Sequence, residues 1–319
     1  MSAAKSLVVA LSGGIGGAKL ALGLSRIVPP ADLLVVANTG DDFEHLGLAI
    51  SPDLDTLMYT LAGLDDPQRG WGRRDETWTF MAALAALGGE TWFQIGDGDL
   101  ATHLERTRRL AEGESLSAIT ADFCRRLGVA TRIVPMSDDR VRTRLFTSEG
   151  WLDFQDYFVR LRCEPTVFKI EYEDAEDASP HPEVLAALAD SRLRTVVICP
   201  SNPLVSIEPI LEVGDMREAI ADCAAPVVAV SPIIGGRAVK GPTAKIMAEL
   251  GIPVSAAAVA ERYAGLIDGY VLDHADAASA GALGIPATAA HTLMVTLEDR
   301  EALARHVLAS ADALAKAAA

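Results

Sequence analysis

The first forty residues constrain the fold more than any other segment, because two apolar runs there enclose a glycine-rich stretch and a helical pattern. Residues 7–10 (LVVA) predict a buried strand, and residues 18–27 contain good helix formers. Residues 33–37 (LLVVA) predict a second buried strand. A strand, a helix and a strand in this order form a parallel pair covered by the helix. The segment therefore predicts an α/β protein.

Later β-rich runs extend this unit into a larger sheet. They lie at residues 132–134, 195–198, 226–230 and 269–272, and the last three are followed by polar or Gly/Pro loops. Open α/β sheets bind their ligands at such loops. We predict a Rossmann-like, doubly wound and mostly parallel sheet in three layers, folded as a single domain over residues 1–319.

Two segments depart from this alternating pattern. Helical periodicity dominates about residues 56–127, which we interpret as a helical insertion covering the open end of the sheet. The segment from about residue 145 to 172 is interpreted as a small β excursion. An alanine-rich segment after residue 297 predicts a surface helix.

Composition limits the classes of function. The net charge of -16 argues against a broad nucleic-acid surface, which needs many basic groups. No apolar stretch approaches the roughly 20 residues of a membrane helix, and the amino terminus lacks a secretory signal, so we expect a cytoplasmic protein. The cysteines are too dispersed to suggest a disulfide framework or a zinc site: Cys124, Cys163, Cys199 and Cys223.

The stretch SGGIGGAK places four glycines between the first strand and its helix: Gly13, Gly14, Gly16 and Gly17. Glycine allows the backbone to approach a phosphate closely, and the amides at a helix N-terminus favour an anion. The stretch matches neither the dinucleotide fingerprint nor the P-loop. Phosphate binding is the favoured interpretation, and a tight turn needed only for strand–helix packing is the alternative.

An acidic cluster follows the second strand. Asp41, Asp42, Glu44, Asp53 and Asp55 lie within 15 positions of one another. Carboxylates at strand ends suit Mg²⁺, which takes one or two of them together with water and substrate oxygens. For any single aspartate, helix capping or turn formation is the plainer explanation.

The segment IGDGDLATH predicts the start of a helix. Asp97 or Asp99 is expected to cap it, and the other could face the site. His103 is a possible general base, although a lone histidine on a helix is more often structural. Trp71, Trp78 and Trp92 of the predicted insertion could stack on a planar ligand, but aromatic residues at such positions are more often part of the core.

Loops of the second half should meet the glycine stretch at one edge of the sheet. Ser201 and Asn202 follow the strand TVVI, and Ser231 follows PVVAV. Arg237 and Lys240 are candidate phosphate partners, with a solvated surface role as the alternative for each.

Taken together, these motifs resemble one family. The chain contains SGGIGGAK, NTGDD, SPDLDT, GDGDLATH, MSDD, FQDYFV, PSNPLVSI and SPIIGG in this order, and the set resembles the 2-phospho-L-lactate transferases of coenzyme F-420 biosynthesis. The resemblance implies transfer of a 2-phospholactyl-type or phosphoenolpyruvyl group from a guanosine diphosphate conjugate. The implied acceptor is the terminal ribityl hydroxyl of 7,8-didemethyl-8-hydroxy-5-deazariboflavin, with release of GMP. It also implies Mg²⁺ and a homodimer.

The resemblance assigns roles to residues of this chain. Asp55 would be the catalytic contact to the deazaflavin, orienting or deprotonating the attacking hydroxyl, and Asp42 would be its companion in catalysis and metal binding. The predicted substrate-binding set is Gly13, Gly14, Gly16, Gly17, Asn38, Asp55, Gln94, Asp97, Ser201, Asn202, Ser231 and Gly235.

One departure from the family bears on the donor. The family often has arginine where this chain has Gly98, and Gln94 is neutral near a position that is basic in some relatives. The donor stays open among phospholactyl, phosphoenolpyruvyl and phosphoglyceryl conjugates.

Two other classes of function are alternatives. A nucleotide- or nucleotide-sugar-binding regulator could use the same fold. An NAD-dependent oxidoreductase is disfavoured, because the glycine spacing is wrong and Asn38, not an acidic residue, ends the second strand.

Overall fold

The computed structural model describes residues 5–239 and 241–317. Its strands are β1 Leu7–Ser12, β2 Leu33–Ala37, β3 Phe43–His45, β4 Leu48–Ile50, β5 Arg132–Pro135, β6 Arg142–Thr147, β7 Gly150–Asp153, β8 Val167–Glu173, β9 Leu193–Ile198, β10 Val227–Val230, β11 Ile233–Ile234, β12 Arg237–Ala238, β13 Gly269–Asp273 and β14 Ala287–Ala290.

The α-helices are α1 Gly14–Ile27, α2 Pro52–Ala62, α3 Thr79–Ala86, α4 Asp97–Ala111, α5 Leu116–Arg126, α6 Pro182–Leu188, α7 Glu208–Leu211, α8 Met216–Ala221, α9 Thr243–Glu249, α10 Ala256–Arg262 and α11 Leu297–Ala317. Short 3₁₀ or π turns connect them at Pro30–Asp32, Asp156–Arg160, Pro203–Ile207 and His274–Ala282. Within the described ranges no helix is long and apolar enough to cross a membrane.

The central sheet confirms the predicted α/β class. In the described chain it has seven strands in the order β14-β13-β10-β9-β1-β2-β5, and every pairing is parallel. This is the strand order of doubly wound dinucleotide-binding folds, lengthened by one strand. Parallel strands covered on both faces are apolar along most of their length, and all residues of β1, β2, β10 and β13 are buried.

Strand alternation distributes the core to the two faces of the sheet. Val8 and Ala10 of β1 contact the layer of α1, α2, α5 and α11, whereas Val9 and Leu11 contact the layer of α6 to α10. The predicted C-terminal helix is α11, and it packs along α1 with one face buried. Gly23 permits this close approach, because a β-carbon there would overlap the carbonyl of Arg300.

The sheet reverses its winding direction between β1 and β9, which lie side by side. The loops that follow these two strands therefore meet at one edge, and this is where such folds bind ligands. The prediction that the helix begins at residue 18 was wrong. Helix α1 begins at Gly14, so most of the glycine stretch is the first turn of a helix and not an open loop.

Additional elements surround this edge. Within the segment predicted as an insertion, α2 and α5 pack in the helical layer of the sheet, and α3 and α4 lie outside it. A small core of Ile50, Met81 and Ile95 joins this outer part to the hairpin of β3 and β4. Strands β6 to β8 form a three-stranded antiparallel sheet over residues 142–173, at the place of the predicted β excursion.

Candidate active site

A cavity of about 770 Å³ opens at the edge where the sheet reverses direction, a volume typical of small-molecule sites. Its walls include these predicted residues: Gly13, Gly14, Gly16, Asp55, Gln94, Ser201, Asn202 and Ser231. Asp41, Asp53, Asp99 and His103, which the sequence offered as chemically suited side chains, also line it. The other predicted residues lie behind or away from its walls: Gly17, Asn38, Asp42, Asp97 and Gly235.

The glycine stretch is joined directly to the loop after β9. The backbone N–H of Gly13 donates to Oγ of Ser201 at 3.1 Å, and the same hydroxyl donates to the Gly13 carbonyl at 2.7 Å. A β-carbon at Gly16 would overlap the carbonyl of Pro200, and one at Gly17 would overlap the Ser201 hydroxyl. Small residues are therefore required for the two loops to pack.

An aspartate already occupies the N-terminus of α1. The N–H of Gly14 donates to Oδ1 of Asp53 at 2.6 Å. The Nδ2 group of Asn38 donates to Oδ2 of Asp53 at 2.9 Å and to Oδ1 of Asp41 at 3.3 Å. Asn38 is fully buried and acts from behind the wall, where it holds two carboxylates that both face the cavity.

The carboxylates of this cluster are poorly balanced by cations. Burial raises the pKa of Asp53 to about 6. Burial, followed by the charges of Asp53 and Asp42, raises the pKa of Asp41 well above its usual range, against a weaker opposing effect of Arg142. A bound cation would relieve both effects, because it would stabilise the ionised carboxylates.

Asp42 lies outside the cavity wall. It is buried, and its Oδ2 accepts a hydrogen bond from Oγ of Ser51 at 2.7 Å. Its Oδ1 has no hydrogen-bond partner among the described residues. Burial raises its pKa to about 7, although Arg142, Ser51 and Arg106 each act to lower it.

Asp55 is the centre of a second network. Both of its oxygens accept hydrogen bonds from the guanidinium of Arg106, which is buried in α4. Nδ1 of His103 lies 3.6 Å from Oδ2 of Asp55, and Nε2 lies 3.2 Å from Oδ2 of Asp99. The hydroxyl of Tyr59 donates to Oδ1 of Asp99 at 2.7 Å. Ligand atoms of Asp55, Asp99 and His103 lie within 4.8 Å of one another, close enough to hold a metal ion.

Charged and hydrogen-bonding neighbours lower the pKa of Asp99, which lies at the far end of this network. Burial acts to raise the pKa of Asp99, but the nearby His103, the hydrogen bond from Tyr59 and the charge of Arg106 together hold that pKa below its usual range. Asp99 is therefore ionised near neutral pH.

The two helix ends near residue 97 are capped reciprocally. Asp97 accepts hydrogen bonds from the N–H groups of Thr79 and Phe80, so it caps α3, and the expectation that it caps α4 was wrong. Glu76 caps α4 by accepting from the N–H groups of Gly98 and Asp99.

The space where the family often has an arginine side chain is filled by other residues. A β-carbon at Gly98 would lie 2.9 Å from Oε1 of Glu76 and 3.4 Å from the guanidinium carbon of Arg73. The guanidinium of Arg73 donates to the Gly98 carbonyl and lies over the ring of Tyr59. A basic group is thus present beside the site, contributed by a different segment.

Of the remaining candidate residues, Asn202 lies in the cavity wall, and Gly235 and Arg237 lie outside it. Asn202 lines the cavity, and its buried Nδ2 has no hydrogen-bond partner among the described residues. Gly235 lies in the exposed hairpin turn between β11 and β12, with φ of 56°, and its N–H donates to Asp276. Arg237 is exposed in the same hairpin, and Lys240 lies outside the described residues.

Sequence reasoning did not assign several wall residues. Phe154, Gln155 and Phe158 come from the turn after β7, and Thr292 to Met294 follow β14. The motif FQDYFV was the available signal for the first group. The second group carries no recognisable pattern, because its place depends on the position of the last strand in the sheet.

Comparison with known proteins agrees with these motifs. The family model described as 2-phospho-L-lactate transferase CofD matches residues 8–310. The phosphoenolpyruvate transferase of Streptomyces griseus is 43% identical over 314 residues, covering 96% of this chain and 98% of that protein. The 2-phospho-L-lactate transferase of Methanosarcina mazei is 40% identical over 304 residues, covering 94% and 99%.

A solved structure supports the fold. The crystal structure of a UPF0052 family member from Bacillus halodurans matches with a TM-score of 0.62 and 15% identity, covering 95% of this chain and 99% of that chain. At this identity the likeness concerns the fold alone. The family match over nearly the whole chain and the two close relatives go further, and they show that this chain belongs to the 2-phospho-L-lactate transferase family of enzymes.

Proposed function

We propose that this transferase moves a phosphoenolpyruvyl group from a guanosine diphosphate conjugate to the terminal ribityl hydroxyl of a deazaflavin, releasing GMP. The observation that carries the proposal is one cavity that joins the first turn of α1 to the Asp55 network. The named relatives support the group transferred, since the phosphoenolpyruvate transferases of Streptomyces griseus and Streptomyces coelicolor are 43% and 42% identical to this chain.

In this proposal the donor binds at the loops after β1, β9 and β10. Ile15 and Gly16 of the first turn of α1 line the cavity beside Ser201, and N–H groups at a helix N-terminus can bind phosphate oxygens, although Asp53 already accepts from the N–H of Gly14. Asn202 and Ser231 line the adjoining wall and offer polar groups to the guanosine. The acceptor ring is assigned to the opposite wall, where Trp71 and Trp92 meet the cavity.

Magnesium remains part of the proposal, with a different pair of ligands. Asp55 fits poorly, because Arg106 engages both of its oxygens, and Asp42 lies behind the wall. Asp41 and Asp53 fit better, since both face the cavity and both have pKa values raised by burial without a matching cation. A magnesium ion held there would neutralise charge on the diphosphate oxygens of the donor.

The residues of the chain then supply positioning and a proton acceptor. Arg106 fixes the orientation of Asp55, whose free lone pairs can accept the hydrogen bond of the acceptor hydroxyl. The hydroxyl oxygen forms a bond to the transferred phosphorus while the bond from that phosphorus to GMP breaks, and the electron pair leaves on GMP. The hydroxyl proton passes to Asp55. The cytoplasmic location remains a prediction from the composition, and the homodimer remains a prediction from the resemblance.

The test is an assay of the purified protein with Mg²⁺, the deazaflavin and each of three guanosine diphosphate conjugates. We expect product and GMP from the phosphoenolpyruvyl conjugate. Product from the phospholactyl or phosphoglyceryl conjugate alone would correct the donor. Guanine-nucleotide binding without product from any donor would favour the alternative of a nucleotide-binding regulator.

A matched pair of variants tests the role of Asp55. Asp55→Asn should lower kcat by about 10²-fold or more, because the amide cannot take the hydroxyl proton. Asp97→Asn changes the same side chain at the cap of α3 and should leave kcat close to that of the wild type. Equal kcat in both variants would contradict the assignment of Asp55.

A further inference from the structure

The wall of the cavity carries more negative than positive charge. Its carboxylates are those of Asp41, Asp53, Asp55 and Asp99. Within the described residues, the lysine and arginine side chains of the wall are those of Lys19 and Arg69. The proposed donor brings a diphosphate and a carboxylate into this cavity. Each of these anionic groups therefore needs a cation or hydrogen-bond donors of its own, because a buried charge without a partner is costly.

The two cations belong to different parts of the site. Lys19 lies on α1, the helix at which the diphosphate is proposed to bind, and its Nζ donates to the carbonyl of Met294 at 2.8 Å. Arg69 lies in the loop between α2 and α3, next to Trp71 on the wall assigned to the acceptor. Arg69 is thus the cation on the acceptor side of the cavity.

Aromatic rings hold the Arg69 guanidinium at this wall. Its central carbon lies 4.7 Å from the ring centre of Trp78 and 5.1 Å from that of Trp71. Cation–π contacts of this kind do not supply acceptors for the N–H groups of a guanidinium. The guanidinium therefore keeps donors for a ligand while its position is fixed.

The ion pair that Arg69 makes within the described chain is a loose one. Its Nη2 lies 3.4 Å from Oδ2 of Asp66, longer than a well-formed hydrogen bond. The other oxygen of Asp66 accepts hydrogen bonds from the backbone N–H groups of Gln68 and Arg69, so Asp66 mainly shapes the loop. The Arg69 side chain is 32% exposed, and a ligand can reach it.

The chemistry of the donor places a carboxylate on this side. In the transferred group, one oxygen and one carbon separate the phosphorus from the carboxylate. The attacking and leaving oxygens of a phosphoryl transfer lie roughly in line on opposite sides of the phosphorus. The carboxylate is on another substituent, so it points neither along the GMP bond nor along the attacking bond, and it stays close to the acceptor.

We propose that Arg69 binds the carboxylate of the transferred group and thereby selects donors that carry one beside the ester oxygen. The position of the donor is taken from the proposed function, on which this inference rests. A guanidinium suits the task, because its planar N–H groups match the two oxygens of a carboxylate. Phospholactyl, phosphoenolpyruvyl and phosphoglyceryl conjugates all have this carboxylate. Arg69 accepts them as a class and excludes neutral nucleotide sugars, which would leave it unpaired.

The test compares the binding of two donors to the purified protein by calorimetry in the presence of Mg²⁺. One is the phosphoenolpyruvyl conjugate of guanosine diphosphate. The other is the isopropenyl ester of GDP, in which a methyl group replaces the carboxylate. The wild type should bind the first about 30-fold more tightly or better, because a charge-assisted pair is lost with the second. In Arg69→Met this preference should fall below about threefold.

Three controls show whether the effect belongs to the carboxylate. GDP has no carboxylate, so Arg69→Met should bind it within about threefold of the wild type. Arg69→Lys keeps the charge without the planar fork, and it should retain an intermediate preference. Arg74→Met is the matched control, because Arg74 lies in the same loop but outside the cavity wall, where its guanidinium donates to the carbonyl of Gly63. That variant should keep the preference of the wild type.

The other outcomes overturn the assignment of Arg69. Equal binding of both donors by the wild type would show that no group reads the carboxylate. A loss of GDP affinity in Arg69→Met as large as the loss for the conjugate would move Arg69 to the diphosphate. Loss of the preference in Arg74→Met as well would point to the charge of the whole loop. Failure of the proposed function is seen separately, as wild-type protein that forms no product from any conjugate, because the binding preference is measured without turnover.

Discussion

Replacing Asp42 by asparagine should stabilise the protein at alkaline pH, since burial of the wild-type carboxylate outweighs its interactions with Ser51, Arg142 and Arg106. Its Oδ1 lacks a hydrogen bond among the described residues, and burial raises the pKa from 3.8 to about 7. A raised carboxyl pKa means that the folded state binds the proton more tightly than the unfolded state. The associated stability is present below about pH 4 and is lost as the pH rises through 7.

The magnitude follows from these two values. Between pH 5 and pH 8 the wild type should lose about 3 kcal/mol of unfolding free energy relative to Asp42→Asn, which cannot ionise. For a chain of 319 residues, with an unfolding entropy of about 2.1 cal/mol/K per residue, this corresponds to about 4 °C in Tm.

The assay is thermal or denaturant unfolding of both proteins at pH 5 and pH 8, without divalent cations. Asp122→Asn is a control of opposite sign, because hydrogen bonds from Arg126 and Arg125 hold the pKa of Asp122 below its usual range. That variant should be less stable than the wild type at pH 8. An Asp42→Asn advantage that is the same at both pH values, or larger at pH 5, would refute the reasoning. Addition of Mg²⁺ should stabilise Asp42→Asn as much as the wild type, since the proposed ligands are Asp41 and Asp53.

Two further predictions concern packing and charge. Gly16→Ala should lower the unfolding free energy by about 1–3 kcal/mol, because its β-carbon would overlap the carbonyl of Pro200. Gly281 has open space around it, so Gly281→Ala should change the unfolding free energy little. Denaturant unfolding of both variants measures the difference. Arg106→Met should lower the unfolding free energy by about 3–5 kcal/mol, because it leaves the Asp55 carboxylate buried and unpaired. Adding Asp55→Leu should recover most of this loss. A double variant that is no more stable than Arg106→Met would contradict this explanation.

Much of the architecture was accessible from local pattern. The apolar runs at β1, β2, β9 and β10 predicted buried parallel strands, since strands covered on both faces are apolar along most of their length. The start of α1 was misplaced, because glycine has a poor helix propensity and the sequence does not show that close packing against the Pro200 carbonyl favours it there.

Prediction of the site was less complete, and the reason is physical. The proximity of Ser201 to Gly13 could be inferred, because the carboxyl ends of adjacent parallel strands meet at one edge. The separate roles of the aspartates could not be inferred. Asp53 and Asp55 are two positions apart, but Asp53 caps α1 and Asp55 pairs with Arg106 of the distant helix α4.

The sequence by itself determined the fold class, the family and the set of loops that surround the cavity, because these depend on hydrophobic periodicity and on motifs that keep their order along the chain. Only the tertiary structure decided which carboxylate faces the cavity, which caps a helix and which is neutralised by an arginine. Those roles depend on burial and on partners contributed by residues far away in the chain, and burial and charge pairing are what shift the pKa of a carboxyl group.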